Sequence, residues 1–185
     1  MGVGSLAASG VMVDFVRHGA TEWSSSGRYT GRTDLVLSPI GRCEATAVGE
    51  RIRCGDYDVV WSSPLLRSVE TAVLAGFDPR IDERLAEFDF GDIEGRRWEE
   101  LSVDVQGSLV DFDSFVAPGG ESVVEFKTRV LSWWDDLEPG RHVAFCHGGV
   151  IRVVQRHLGA DALVATGSVV SLGAPDNSAG RGVPG

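Results

Sequence analysis

The run Val11-Met12-Val13-Asp14-Phe15-Val16 is almost continuously apolar and rich in β-branched and aromatic residues, and it stops at Arg17-His18-Gly19. That pattern, opened by Gly10, predicts a buried strand ending in a polar turn. Asp58-Val59-Val60-Trp61-Ser62 and Arg141 to Cys146 predict two more strands, with a short one near Arg80–Asp82 and a last one at Ser168–Leu172. Helical signals fall between them. Ser38-Pro39 places an N-cap serine before a proline at the first helical position, predicting a helix to about Cys54. Ser63-Pro64 repeats the signal ahead of Leu65–Ala75. Ser122-Val123-Val124-Glu125 has the form of a capping box, predicting a helix to about Leu137. A further helix is expected over Val150–Leu158, after the turn His147-Gly148-Gly149.

Strands alternating with helices predict an α/β fold: a mostly parallel sheet flanked by helices on both faces. Residues from about Gly91 to Gly120 break the rhythm and read as an acidic, irregular excursion over the site. The 185-residue length supports one core, so residues 1–172 are expected to form a single domain and 173–185, rich in Gly, Pro, Asn and Ser, a flexible tail.

Composition narrows the partners. A net charge of −10 argues against a broad nucleic-acid or anionic-membrane surface. Met1 to Gly10 lacks the basic and apolar regions of a signal peptide, and no run is long enough to span a bilayer, so a cytoplasmic protein is expected. Cys43, Cys54 and Cys146 form no C-x-x-C pair and are odd in number, which predicts buried free thiols. Room is left for a homodimer.

Three strand ends carry candidate chemistry: Arg17-His18 after the first, Arg67 in the helix after the second, and His147-Gly148-Gly149 after the late one. In a parallel sheet these ends share an edge, where ligands bind. Two histidines and two arginines gathered there, beside helix N-termini, suit phosphoryl transfer through a phosphohistidine. His18 would be the nucleophile, with Arg17, Arg67 and His147 neutralising the phosphoryl oxygens, and no metal or other cofactor is called for. Glu87, flanked by apolar residues, is the candidate proton donor, with a carboxyl expected to be raised by desolvation. Asp89 and Glu83 compete for that role. Trp23 and Trp98 are candidates for the pocket wall, and Arg28 and Arg32 for a distal charge on the substrate. His142 and His157 are expected to be structural or exposed, and Trp133-Trp134 to pack in and around the core.

Arg17-His18-Gly19-Ala20-Thr21 and Tyr29-Thr30-Gly31-Arg32-Thr33-Asp34-Leu35-Val36-Leu37-Ser38-Pro39-Ile40-Gly41 resemble the opening of the histidine phosphatase superfamily. Ser62-Ser63-Pro64-x-x-Arg67, Leu85-x-Glu87-x-x-x-Gly91, Pro118-Gly119-Gly120-Glu121-Ser122 and His147-Gly148-Gly149 are similar to its later motifs, in the same order. The resemblance implies a three-layer sandwich like that of phosphoglycerate mutases. It implies that His18 is phosphorylated, that Glu87 donates the proton, and that Thr21, Thr30, Gly31 and Gly148 contact a small phosphorylated substrate.

Two departures separate the chain from the mutases of that family. Ala20 and Ser24 stand where those often have Glu and Asn. Between Gly91 and Gly120 the basic residues are Arg96 and Arg97, among many carboxylates, where mutases carry a basic insertion that grips a second anion. Both favour a metal-independent phosphomonoesterase, most like the broad small-molecule acid phosphatases and α-ribazole phosphatases. Phosphoglycerate mutase-type transfer, a catalytically idle phospho-ligand-binding module and a phosphohistidine protein phosphatase are the competing readings.

Overall fold

The computed structural model of the chain describes residues 10–173. The expectations for the first nine residues, and for the tail beyond Gly173, lie outside the described residues. In chain order the elements are β1 (Val11–Arg17), α1 (Glu22–Ser25), α2 (Pro39–Arg51), β2 (Val59–Ser62), α3 (Leu66–Leu74), β3 (Arg80–Ile81), α4 (Val103–Val110), α5 (Val123–Asp135), β4 (Gly140–Cys146), α6 (Gly148–His157) and β5 (Val169–Gly173).

The five strands form one sheet in the order β3-β2-β4-β1-β5. The first four are mutually parallel, and β5 closes the edge antiparallel to β1. Alternation along the central strands sends side chains to opposite faces. Val11, Val13 and Phe15 of β1 and Ala144 and Cys146 of β4 pack with residues of α5 and α6, including Phe126, Val130, Trp133 and Ile151. Val16, Val143 and Phe145 pack against Val48 of α2 and Ala72 of α3. Two cores on two faces make the α/β sandwich that the hydrophobic pattern predicts. Trp133 and Trp134 are both buried, as expected. No helix among the described residues is long and apolar enough to cross a membrane.

The differences from the sequence reading have local causes. Helix α3 starts at Leu66, not directly after Ser63-Pro64. The Ser63 hydroxyl accepts the Leu65 N–H at 3.2 Å and shapes the turn, while the Leu66 N–H is capped at 2.6 Å by Asp34, thirty-two residues away. Such a long-range cap leaves no local signature. Helix α1 was not anticipated; it is a single turn with Thr21 as N-cap and Ser24 closing a capping box. The excursion is less irregular than expected, because Ser102 caps α4 and short 3-10 turns form at Gly91–Ile93, Trp98–Glu100 and Phe112–Ser114. Of the cysteines only Cys146 is buried; Cys43, on α2, and Cys54 are exposed. His142 is buried between the Trp61 indole N–H and the Glu138 carbonyl, and His157 is exposed.

Candidate active site

The parallel register sets the C-terminal ends of β1, β4 and β2 side by side, with Arg17 opposite Cys146 and Ser62 opposite Phe145. The chain leaves all three strands at one sheet edge, and the His18 N–H donates to the Cys146 carbonyl at 3.0 Å. His18 and His147 therefore meet, with ring centroids 5.1 Å apart. Arg67 joins them from the first turn of α3, completely buried.

Each ring is held in a definite tautomer. His18 Nδ1 lies 2.8 Å from the Gly19 carbonyl, which can only accept, so the proton sits on Nδ1 and the Nε2 lone pair is free. Burial, seconded by the Arg67 charge, pushes the His18 pKa down to about 3, so the ring is neutral near pH 7. The Ser63 hydroxyl hydrogen has no acceptor among the described residues other than His147 Nε2, at 2.7 Å, and the Ser68 hydroxyl lies 3.3 Å from the same atom. With Nε2 accepting, the ring proton sits on His147 Nδ1. Burial first, and Arg67 second, also hold His147 well below the usual imidazole range.

Three N–H groups at this cluster are buried without a protein partner: Arg17 Nε, Arg67 Nε and His147 Nδ1. A buried unsatisfied donor costs roughly 1–3 kcal/mol, and more when charged. Backbone carbonyls hold other donors of both arginines. Arg67 Nη1 and Nη2 bond the Thr33 and Gly31 carbonyls at 3.0 and 2.7 Å, and Arg17 Nη1 bonds the Val164 carbonyl at 2.5 Å. The guanidinium planes are thus set by backbone, and the remaining donors suit an anion with several acceptor oxygens.

Glu87 is nearly buried and lies beside Arg17 and His18 in the lining of a cavity of about 220 Å³. Its Oε1 accepts the Phe88 N–H at 2.9 Å and its Oε2 the Gly149 N–H at 3.0 Å, at the start of α6. A side chain on Gly149 would overlap Oε1, which is why glycine stands there. Arg129 of α5 fixes the backbone around Glu87, donating to the Arg84, Ala86 and Glu87 carbonyls at 2.8, 2.6 and 2.9 Å. Of the two competing carboxylates, Asp89 bonds the Gly91 N–H at 2.9 Å, and Glu83 opens a 3-10 turn; neither lines either cavity.

The remaining expected residues divide. Thr30 lines the small cavity and Gly148 the larger one next to it. Gly148 lies so close to Arg17 that an added Cβ would come 3.4 Å from Cζ. Thr21 is completely buried and spends its hydroxyl on capping α1, while Gly31 supports the site by accepting from Arg67; neither lines a cavity. Trp98 lines the larger cavity, whereas Trp23 packs over Gly95. Arg28 lines the small cavity with Nη1 on the Gly95 carbonyl at 2.5 Å, and Arg32 is not brought to either cavity.

Several supporting residues went unassigned in the sequence. Thr71 accepts the Gly19 N–H at 3.0 Å and donates to the Arg67 carbonyl at 2.6 Å, tying the two strand-end segments together. Glu94 accepts the Arg32 and Thr33 N–H groups at 2.6 and 2.8 Å, and so shapes the loop that holds Arg67. Ser63 orients His147; its place in the Ser-Ser-Pro motif was the available signal. Arg129 and Glu94 left none, being ordinary charges on a helix and in an acidic segment.

The model of the histidine phosphatase superfamily (branch 1) matches residues 13–166. A relative from Hydrogenobacter thermophilus named "Putative phosphoserine phosphatase 2" is 30% identical over 150 residues, covering 75% of this chain and 74% of its own length. A 2,3-bisphosphoglycerate-dependent phosphoglycerate mutase from Cytophaga hutchinsonii is 31% identical over 159 residues, covering 77% and 75%. The crystal structure of TTHB049 from Thermus thermophilus superimposes with a TM-score of 0.80 at 41% identity, covering 87% of this chain and 92% of that one.

Proposed function

This chain belongs to the histidine phosphatase superfamily, branch 1, and we propose that within it the protein is a phosphomonoesterase that hydrolyses a small phosphorylated molecule through a phosphohistidine at His18. The observation that carries the reading is the free Nε2 of a neutral, buried His18 set among three buried N–H donors that no protein group satisfies.

The steps follow from that arrangement. The Nε2 lone pair attacks phosphorus and forms a P–N bond as the ester P–O bond breaks. Arg17, Arg67 and His147 Nδ1–H donate to the phosphoryl oxygens, whose charge they neutralise where a metal ion would do so in other phosphoryl-transfer sites. Glu87 gives its proton to the departing oxygen, leaving a carboxylate already met by two backbone N–H groups. Water then attacks phosphorus, its proton passes to Glu87, the P–N bond breaks, and inorganic phosphate leaves with the Nε2 lone pair restored.

Mutase-type transfer needs a second anion of the substrate held at the far end of the site. The cations there already have partners: Lys127 and Arg156 share Asp113 at 2.7 and 3.3 Å, and Arg152 and Arg156 share Asp161 at 2.5 and 3.0 Å. That pairing favours hydrolysis. The test is alkaline quenching of a reaction with phosphorus-labelled ester. Acid-labile label on His18 is expected, absent in His18→Ala, with the rate unchanged by chelator and inhibited by vanadate. Near-normal turnover by His18→Ala, or loss of activity in chelator restored by Mg²⁺, would overturn the reading.

A further inference from the structure

Beyond the phosphate subsite the cavity itself is selective. We infer that this site takes phosphomonoesters whose alcohol portion is apolar and about the size of an aromatic ring system, discriminating against polyol and sugar phosphates. The inference rests on the phosphomonoesterase reading for its reaction, and on the cavity walls for its specificity.

The larger cavity has a volume of about 350 Å³ and opens from the reactive end, where Arg17, Glu87, Gly148 and Gly149 form its floor. This lies near the lower end of the range for small-molecule sites, about 300–1,000 Å³. Its sides come from five segments of the chain. Tyr29, Phe88 and Phe90 stand on the loops after β1 and β3, Leu109 and Phe112 on the excursion, and Phe126 and Val153 on helices α5 and α6. Phe88 packs edge to face on Phe90 at 4.8 Å and on Phe126 at 5.4 Å, and tilted pairs join Phe88 to Phe112 at 5.6 Å and Tyr29 to Phe90 at 5.1 Å. Rings so arranged present edges and faces to a flat guest.

Polar groups are scarce on these walls. Apart from the floor, the described polar side chains reaching the cavity are Tyr29, Trp98 and the rim cations Lys127, Arg152 and Arg156. Those cations are partly exposed and bonded to Asp113 and Asp161. A hydroxyl-rich alcohol placed here would leave behind its water and find few partners. Each stranded hydroxyl weakens binding roughly tenfold. An apolar ring, by contrast, gains from every contact. Burying about 100 Å² of its surface strengthens binding by on the order of 50-fold. The excursion therefore acts as the specificity wall: it brings Leu109 and Phe112 over the cavity, held through Asp113 to both α5 and α6.

Binding of non-hydrolysable phosphonates separates this inference from the reaction it rests on. By calorimetry, 2-phenylethylphosphonate should bind about 50-fold more tightly than 3,4-dihydroxybutylphosphonate. Leu109→Asn lies on a helix without buried residues, so folding should tolerate it; it should narrow the ratio several-fold and leave inorganic phosphate affinity unchanged. Phe112→Ser should narrow it further. Equal affinities, tighter binding of the polar phosphonate, or a ratio unmoved by both variants would overturn the inference. Benzyl and glycerol phosphates then test the reaction separately. Failure to hydrolyse either, with the phosphonate ratio intact, would overturn the phosphomonoesterase reading and leave the cavity's specificity standing.

Discussion

Keeping two imidazoles uncharged inside the protein makes stability depend on pH in a window where the contribution of the shifted carboxylates is constant. His18, only 4% exposed, has its pKa lowered from 6.5 to about 3, and fully buried His147 is lowered as well. Below pH 6.5 the unfolded chain takes up protons on both residues and the folded chain does not, so the stabilisation is complete above 6.5 and is lost as pH falls toward the folded pKa. Each histidine then costs about 1.4 kcal/mol per pH unit. From pH 6.5 to 5 that amounts to about 2 kcal/mol for His18, a sizeable part of the 5–15 kcal/mol typical of a domain, and His147 acts in the same direction. The carboxyls held below their ordinary range, at Asp82, Asp113, Glu125 and Asp161, start from unfolded values of 3.8 or 4.5, so their contribution disappears only at lower pH. Urea unfolding at pH 7.5 and 5.0 in buffer free of phosphate reads the effect directly. His18→Gln should lose less than the wild type between the two pH values, by about 2 kcal/mol. A wild-type stability that is flat across this interval, or a His18→Gln protein that loses as much as the wild type, would refute the assignment of buried neutral rings.

Two further outcomes follow from the position of Glu87. Glu87→Gln should depress hydrolysis of an alkyl phosphate by about 10²–10⁴-fold while affecting p-nitrophenyl phosphate far less, because a phenolate leaves without a proton; equal losses on both would assign Glu87 to positioning alone. Gly149→Ala puts a Cβ where Glu87 Oε1 now sits, so the carboxyl must turn away. The same alkyl-selective loss should appear at unchanged vanadate affinity, measured by inhibition, and a normal alkyl-to-aryl ratio would show that the carboxyl's placement does not matter.

How much of this was legible in the sequence depended on whether the signal was local. The strand runs and the serine caps of α2 and α5 are short-range patterns, and β1, β2, β4, α2 and α5 lie within a few residues of where the pattern places them. Parallel strands ending at one edge then brought His18, Arg67 and His147 together without further information. Interactions across long separations left no such pattern. Asp34 capping α3, Glu94 shaping the Arg67 loop and Arg129 fixing the Glu87 backbone are each an ordinary charged residue in the sequence, made specific only by a partner 32 to 62 residues away. The excursion was misjudged for a related reason. It reads in sequence as acidic and irregular, yet Glu94 and Asp113 spend their carboxylates on anchoring, while Leu109 and Phe112 between them turn toward the cavity.

The site also departs from ordinary folding preferences in a consistent direction. A sequence selected for stability alone would not gather two arginines and two histidines with three buried donors unsatisfied. At roughly 1–3 kcal/mol for each donor, the arrangement gives up several kcal/mol. Residues with no contact to a ligand maintain it: Thr71 and Ser63 use their hydroxyls to fix His18's loop and His147's tautomer, and backbone carbonyls hold both guanidiniums. Rigid support of an unsatisfied cluster makes physical sense where a ligand completes the hydrogen bonding. On the proposed reading that ligand is a phosphoryl group, small, rich in acceptor oxygens and negatively charged, which suits a place between Arg17 and Arg67. The inferred substrate, charged at one end and apolar at the other, follows the same logic, since beyond the phosphate subsite it meets aromatic walls and cations that already have carboxylate partners.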